Sequence, residues 1–290
     1  MLKKLRNSIL ICSLFLLTGC VDQSKEVTAA MTIAASSVAV TEILDALEVD
    51  ANQVIGIPSS ESYEVPERYQ NATQLGSAMT PDMEILTKLN PQLIISPNSL
   101  ERDLQSQYEK IGISSAFVNL KSVSGMYKSI EDLGKKLGKE EKASKLIDEY
   151  VSFMNTYQKN YQHNDSPTVL ILMGLPGSYV VATESSYVGD LVKLAGATNV
   201  YGDGDGVDFL TANPEDMLKK NPDIILRTSH ALPEQVAKMF KEEFKTNDIW
   251  SQFDAVKQDK VYDLDHTNFG MSATFRYQDA LKELGELLYE

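Results

Sequence analysis

Recognisable catalytic motifs are missing from this sequence. It contains no Gly-x-Ser-x-Gly nucleophile motif, no Gly-Lys-Ser/Thr phosphate loop and no His-Glu-x-x-His zinc motif. Its two cysteines, Cys12 and Cys20, lie near the N-terminus, and the first falls inside an apolar segment typical of a removed leader. No thiol pair therefore remains for a disulfide or for thiolate chemistry, and the sequence favours a binding protein over an enzyme.

Histidine and methionine are the remaining candidates for chemistry, because imidazole and thioether groups can both act as ligands. His230 follows the apolar strand pattern from Ile224 to Leu226 and precedes a helix that opens near Pro233. Met79 occupies a comparable position earlier in the chain, just before a helix opened by Thr80-Pro81. Proteins of the α/β class present ligand-binding groups at such strand ends. Packing is the alternative role for a single histidine or methionine.

The elements that must position these donors alternate between strand and helix. An apolar run from Ala29 to Ala35 predicts the first strand, and Ser36-Ser37 is typical of a cap for the helix that follows. A second set of elements begins with the continuous apolar run from Val169 to Met173, which is typical of a buried parallel strand. This alternation predicts an α/β fold with mostly parallel sheets covered by helices.

A long helical stretch separates the two sets of elements. Apolar residues recur at helical spacing from Met126 to Leu137, and the pattern resumes after Gly138. It predicts a helix of about 25 residues from Lys139, which would be roughly 37 Å long. Such a length is typical of a strut between two lobes, although a long surface helix on one domain is the alternative. His163, near the end of this stretch, is interpreted as solvated.

An internal repeat supports the interpretation of two lobes. Residues Thr80 to Ile95 align with Thr211 to Leu226, and in each copy a helix ends at Asn-Pro before an apolar strand. The repeat predicts two Rossmann-like α/β lobes with a ligand cleft between them, beyond the carboxyl ends of the strands. The predicted segments are a signal peptide (1–19), a tether (20–28), an N-terminal α/β lobe (29–121), a helical segment with the backbone helix (122–165) and a C-terminal α/β lobe (166–290).

The first 19 residues are typical of a bacterial targeting segment. Lys3, Lys4 and Arg6 precede an apolar run too short to cross a bilayer as a stable helix. The run ends at Leu17-Thr18-Gly19-Cys20, which looks like a lipobox. We therefore expect Cys20 to become the first residue and to carry a diacylglycerol anchor. An ordinary signal peptide is the alternative.

The chain is strongly acidic. Its formal net charge is −14, and removal of the first 19 residues takes it to −17 because they carry three cations and no acid. Phosphate binding needs clustered cations, so this balance excludes nucleic acid as a partner. An acidic protein is also repelled by an anionic membrane, which makes a covalent anchor necessary for a membrane location.

Several motifs resemble a known family of transport proteins. They are Pro66 to Tyr69, Gly76 to Met79, Val169 to Tyr179, Tyr187 to Lys193, Pro222 to Arg227 with His230, and Asn247 to Trp250. With these motifs the chain resembles class III substrate-binding lipoproteins of ABC importers, whose two lobes are joined by one long helix. Within that class it is similar to the haem-receptor lipoproteins of iron-regulated surface determinant systems. The resemblance covers nearly the whole mature chain.

The resemblance implies that the cleft binds haem b without a covalent link. The family's axial iron ligands are a methionine of the first lobe and a histidine of the second, and these motif positions are Met79 and His230 here. Helix amides favour anions and tyrosines suit a polar rim, so other haem contacts are expected from two sets of residues. They are Ser36, Ser37, Val38 and Ala39 at the first helix, and the rim tyrosines Tyr63, Tyr179 and Tyr187. Structural caps and core tyrosines are the alternatives.

The resemblance also implies a place in transport. Members of this class dock onto a membrane permease through one exposed acid in each lobe, and the repeat puts Glu84 and Glu215 in equivalent positions. Solvated helix surface is the alternative for both. The expected partners are haem, an ABC permease and upstream cell-surface haem-transfer proteins. The expected state is a monomer on the extracytoplasmic face of a Gram-positive membrane, anchored through Cys20.

Two other functions stay open at this point. A siderophore or cobalamin receptor of the same fold would be expected to place several arginines in the cleft, and only Arg227 lies near the second-lobe loop. An enzyme acting on porphyrin is disfavoured by the missing nucleophile and thiols. His266 lies in a polar loop and is interpreted as solvated, so it serves as a reference for His230.

Overall fold

The computed structural model describes residues 30–60, 63–161 and 166–289. The proposed signal peptide, Cys20, the tether and His163 lie outside these described residues. None of the helices in the described part of the chain combines the length and the apolar character that a membrane span requires. Residues 31–290 group into one compact unit, which contains both predicted lobes.

The first lobe is built on a parallel sheet of five strands. Its strand order is β3-β2-β1-β4-β5, and every neighbouring pair is parallel. Three helices connect the strands, so the alternation predicted from the sequence is confirmed. The elements are β1 (Ile33–Ala35), α1 (Val38–Ala46), β2 (Val54–Ile57), β3 (Thr73–Gln74), α2 (Met83–Leu89), β4 (Leu93–Pro97), α3 (Glu101–Lys110) and β5 (Ser115–Val118).

Two helices carry the chain from the first sheet to the second. They are α4 (Val123–Leu137), which buries Met126, Ile130 and Leu133 as its periodicity predicted, and α5 (Glu140–Asn160). α5 has 21 residues and is therefore about 32 Å long, shorter than the 25 residues predicted. α4 ends at Gly138, whose φ of 66° is the left-handed conformation that glycine adopts without steric cost.

The second lobe contains a mostly parallel sheet of six strands. Its main order is β11-β10-β6-β7-β9, with β8 paired beside β6; only the β6–β7 and β7–β9 pairs are antiparallel. The elements are β6 (Thr168–Leu175), β7 (Ser178–Ala182), α6 (Tyr187–Leu194), β8 (Thr198–Asn199), β9 (Phe209–Thr211), α7 (Pro214–Lys220), β10 (Ile224–Ser229), α8 (Pro233–Thr246), α9 (Asp254–Lys257), β11 (Val261–Asp263) and α10 (Tyr277–Tyr289).

The predicted repeat is present as two matching helix–strand units. α2 and α7 each have seven residues, and each begins at a side chain that accepts a backbone hydrogen bond, Asp82 or Asn213. Each ends at an asparagine in the left-handed conformation, Asn90 at φ 47° and Asn221 at φ 41°. Asparagine tolerates this conformation better than most residues do, which explains why the same Asn-Pro stop occurs in both copies.

Candidate functional site

A cavity of about 310 Å³ lies between the lobes, and its wall is mostly apolar. On the first-lobe side it is lined by residues that follow β1 and β2, including Ser37 to Ala39 and Pro58 to Ser60. On the second-lobe side it is lined by residues that follow β10 and β11, including His230 and Gly270 to Ser272. All four strands run parallel within their sheets, so the cavity lies beyond carboxyl ends contributed by both lobes.

The N-terminus of α1 points its polar groups at this cavity. Ser37 caps the helix by accepting a hydrogen bond from the Val40 N–H at 3.4 Å. Helix geometry leaves the N–H groups of Val38 and Ala39 without acceptors inside the helix. Both residues line the cavity, so this wall offers hydrogen-bond donors and the positive end of a helix dipole.

His230 is held at the end of β10 with its imidazole at the cavity. Its backbone N–H donates to the Gly174 carbonyl at 3.0 Å, which continues the β6–β10 pairing by one residue. The side chain is half-buried, and burial lowers the pKa of the His230 imidazole below its usual range. The imidazole is therefore neutral at neutral pH and carries a free lone pair, which is the form that binds a metal.

Met79 lies at the tip of a tight turn beside the cavity. The Thr80 N–H donates to the Ser77 carbonyl at 3.2 Å, and the hydroxyl groups of the same two residues lie 2.8 Å apart. This turn leaves Met79 65% exposed, whereas its neighbour Ala78 lines the cavity. Met79 itself is not among the residues that line the cavity, and a large apolar side chain that is so exposed gains little from packing.

The predicted haem contacts divide into two groups. Ser37, Val38, Ala39 and Tyr63 line the cavity. Ser36 does not: it is 1% exposed, and its hydroxyl neighbours that of Tyr108 in the core. Ser36 and its neighbour Ser37 point in opposite directions, because successive side chains of an extended backbone lie on opposite sides.

Two of the predicted rim tyrosines lie elsewhere. Tyr187 is 1% exposed and packs in the core, where its hydroxyl neighbours the backbone of Thr274. Tyr179 packs against Phe240 and donates its hydroxyl to a Glu243 carboxylate oxygen at 3.2 Å, in a separate depression of the second lobe. Neither residue is among those that line the cavity.

Glu42 also lines the cavity, although it was not predicted from the sequence. It lies on α1 four residues after Val38, so a helical-wheel argument would have put it on the same face. Burial raises the pKa of the Glu42 carboxyl, and the Arg276 guanidinium opposes that rise only in part. Met271, 40% exposed, also lines the cavity, and no pattern in the sequence marks it. Among the described lining residues there is no lysine or arginine.

Arg227 is engaged away from the cavity. It makes two hydrogen bonds of 2.7 Å to the Asp263 carboxylate, and its guanidinium lies 4.7 Å from the centre of the Phe244 ring. Both neighbours satisfy the cation within the second lobe, so Arg227 is not presented to a ligand in the cleft.

The two predicted docking acids occupy equivalent surface positions. Glu84 is the second residue of α2, Glu215 is the second residue of α7, and both are exposed. A carboxylate in the first turn of a helix is stabilised by the helix dipole, which is a sufficient structural reason for either acid. The helix dipole does not by itself explain why Glu84 and Glu215 lie at the same position in the two lobes.

Comparison with known proteins places this architecture in a family. Residues 33–267 match the family model described as periplasmic binding protein. The chain is 38% identical over 287 residues to the high-affinity heme uptake system protein IsdE of Staphylococcus aureus (strain Newman), covering 98% of this chain and 97% of that one.

Solved structures agree with the sequence match. A Listeria monocytogenes ABC transporter substrate-binding protein is 46% identical, with a TM-score of 0.83, and the alignment covers 90% of this chain and 99% of that one. Staphylococcus aureus IsdE complexed with heme is 39% identical with the same TM-score and coverage. The Vibrio cholerae heme-binding protein HutB shares the fold at a TM-score of 0.71 and 19% identity, over 90% of this chain and 99% of that one. The chain therefore belongs to the periplasmic binding protein family and has the fold of its class III members.

Proposed function

We propose that this protein binds haem in the cavity between its lobes and delivers it to an ABC importer. The observation that carries this proposal is the imidazole of His230 in a mostly apolar cavity at the strand ends of both lobes. A porphyrin is a flat apolar disc whose iron accepts a donor on each face, and such a cavity suits it. A relative 39% identical, IsdE, has been crystallised with heme.

In this proposal His230 and Met79 are the two axial ligands. They come from different lobes, so binding of one iron by both draws the lobes together. Neutral imidazole and a soft thioether are a suitable pair for six-coordinate haem iron. The exposed position of Met79 leaves its sulfur free to reach the metal without breaking a packed contact.

The haem propionates are assigned to the N-terminus of α1. Ser37, Val38 and Ala39 bring amide donors and a helix dipole to the cavity wall, and both favour carboxylates. The described lining holds no lysine or arginine, so these amides are the main source of positive potential there. Tyr63 lies in the same wall and is assigned to the haem rim by its position.

The competing functions fit the site less well. Ferric siderophores are usually met by several arginines, but Arg227 is paired with Asp263 and the described cavity lining has no cation. Members of the family are binding proteins, which is consistent with a cargo that is bound and released rather than converted. No cysteine of the mature chain other than Cys20 is available for covalent haem attachment.

The protein's location and partners complete the proposal. We place it on the extracytoplasmic face of a Gram-positive membrane, as a monomer anchored through a lipid on Cys20. Glu84 and Glu215 are assigned to contact with an ABC permease, and upstream cell-surface proteins would supply the haem. Residues 29–121 and 166–290 are the two lobes that would hold the haem between them.

A haemin titration followed by visible spectroscopy tests the proposal. We expect the purified protein to bind one haem with the spectrum of six-coordinate iron. His230→Ala and Met79→Ala should each change that spectrum, because each removes an axial donor, and should each weaken haem retention by at least about tenfold.

His266→Ala is the matched control for this titration. His266 is not among the cavity-lining residues and lies 3.6 Å from the Asp265 carboxylate, so its loss should leave the spectrum and the affinity unchanged. Unchanged spectra in both cleft variants would refute the ligand assignment. A wild-type protein that does not bind haemin at all would refute the proposed function.

A further inference from the structure

The cavity wall contributed by residues 265–274, here called the wall segment, is attached to the opposite lobe at both ends. Near its start, the Tyr63 hydroxyl of the first lobe donates to the His266 carbonyl at 3.1 Å. Near its end, the Ala273 N–H donates to the Leu120 carbonyl at 2.8 Å. Thr267 and Gly270 to Ser272 lie between these two bonds and line the cavity.

The wall segment is also fixed to its own lobe at its centre. Phe269 is fully buried, and its carbonyl accepts a hydrogen bond of 2.9 Å from the Thr228 hydroxyl. The segment therefore belongs to the second lobe, and the hydrogen bonds at its two ends connect it across the cleft to the first lobe. We call these two hydrogen bonds ties. Any opening of the cleft at this wall has to break one of them.

The two ties differ in how easily they can open. Ala273 is fully buried and Leu120 is 2% exposed, so their backbone bond is protected from water. The Tyr63 tie depends on one half-buried side chain at the cavity itself. A bond that water can replace costs little to break, so the Tyr63 tie is the one that opens first.

Gly270 makes the room that the Tyr63 hydroxyl needs. A Cβ atom at position 270 would lie 3.0 Å from the Tyr63 oxygen, closer than ordinary van der Waals contact. The backbone of Gly270 is not in the left-handed region, so an alanine can adopt its conformation. The close approach of the Tyr63 hydroxyl therefore explains the glycine at position 270, whereas its backbone conformation does not require one.

We propose that Tyr63 is a positioning residue, whose hydrogen bond to the His266 carbonyl holds the wall segment against the first lobe and so slows the escape of haem from the cavity. The inference rests on the proposed function for its ligand, and it gives Tyr63 a role independent of direct haem contact. Burial and the nearby Asp265 carboxylate raise the pKa of the Tyr63 hydroxyl, with Arg276 opposing them. The hydroxyl therefore stays protonated and remains a donor throughout the physiological range.

Haem transfer to an excess of apomyoglobin measures the escape rate. Tyr63→Phe removes the tie, so it should speed haem loss by about three- to tenfold, the effect of losing one hydrogen bond. Gly270→Ala crowds the Tyr63 hydroxyl and weakens the same tie, so it should speed haem loss by no more than Tyr63→Phe does. The visible spectrum should stay that of the wild type, because neither change touches an iron donor. The double variant should lose haem no faster than the faster single variant, since one bond cannot be removed twice.

Tyr69→Phe is the matched control. The Tyr69 hydroxyl donates to the Val49 carbonyl at 2.9 Å, a bond of the same type that stays within the first lobe. Its loss should lower the unfolding temperature without changing the rate of haem escape. A purely structural role for Tyr63 would give the same result as this control, and would overturn the proposal.

Amide hydrogen exchange of the haem-free protein separates this proposal from the proposed function. Exchange in residues 266–272 should speed up in Tyr63→Phe and stay at the wild-type rate in Tyr69→Phe. If the wild type fails to bind haem, the proposed function fails, while the exchange data still decide whether the tie exists. Additive effects of the two substitutions, or unchanged exchange in Tyr63→Phe, would overturn the tie itself.

Discussion

At the scale of single residues, the sequence predicted the position of His230 in the fold better than it predicted the positions of the tyrosines. His230 could be placed because a strand pattern precedes it and a helix start follows, and both elements are present. The tyrosines could not be placed in this way. Tyr63 lines the cavity whereas Tyr187 is in the core, and nothing local in the sequence distinguishes them. Whether a side chain reaches a cleft between two lobes is decided by packing between distant segments.

Glu42 gives a test of the electrostatics of the cavity. Its pKa is raised above the ordinary value of 4.5 by burial, so the folded protein binds this proton more tightly than the unfolded chain does. Below pH 4.5 the carboxyl is protonated in both states and burial carries no charge penalty. As the pH rises through the folded-state pKa, the wild type must ionise a buried group and loses stability.

We therefore expect Glu42→Gln to melt roughly 1–3 °C above the wild type at pH 7 and at the same temperature near pH 4. Thermal unfolding of both proteins at the two pH values measures this difference. Glu141→Gln, at an exposed position on α5, should show no such pH-dependent gain. A difference between Glu42→Gln and wild type that is equal at pH 4 and pH 7 would contradict the electrostatic explanation.

At the scale of elements, the internal repeat was the most informative pattern in the sequence. It predicted α2 and α7, their shared ends at Asn90 and Asn221, and the strands that follow. Element ends were less predictable. α2 begins at Met83 rather than near Pro81, because Asp82 caps it.

The start of α8 differs from the two repeat units in a way that can be tested. Leu232 precedes Pro233 and has φ 49°, the same left-handed conformation that Asn90 and Asn221 adopt before their prolines. Leucine is strained there, and at 46% exposure it gains little from packing. Leu232 lies two positions after His230. Strained residues cluster at functional sites, so its conformation is consistent with a site at this position.

Leu232→Asn should therefore stabilise the fold by about 0.5–1 kcal/mol, because asparagine tolerates the left-handed conformation. Denaturant unfolding measures the change in the free energy of unfolding. Leu232→Ala is the control, since alanine keeps the steric penalty and should give no gain. An asparagine variant no more stable than the alanine variant would contradict the strain explanation. If both variants are less stable than the wild type, the side chain of Leu232 contributes packing that outweighs the strain.

At the scale of the whole molecule, the two lobes share a continuous core. Tyr127 of α4 stacks on Tyr150 of α5 with ring centres 4.3 Å apart, and Tyr277 of α10 packs edge-on at 5.9 Å from Tyr127. Lys121 and Asp208 add an ion pair of 2.8 Å between the end of the first lobe and the second. Such contacts limit how far the lobes can separate, so we expect ligand exchange to use small movements at the cleft wall.

The paired acids make a prediction about the assembled importer. If Glu84 and Glu215 contact a permease, Glu84→Gln and Glu215→Gln should each reduce haem-dependent ATP hydrolysis by the cognate permease in proteoliposomes. Each loss removes one charged contact, so we expect a reduction of about tenfold and a larger one for the double variant. Haem binding should be unchanged, because neither acid lines the cavity.

Glu141→Gln again serves as a control, because this exposed acid has no partner in the repeat. It should leave stimulation of the permease intact. Equal effects of all three substitutions would show that general surface charge, and not the matched pair, governs the interaction.

A crystal structure of the protein with bound haem would show which side chains bind the iron. We expect the iron to be bonded on one face by the Met79 sulfur and on the other by the His230 imidazole, with the propionates at the N-terminus of α1. An iron bonded to neither of these side chains, or a ligand other than a porphyrin retained between the lobes, would contradict it.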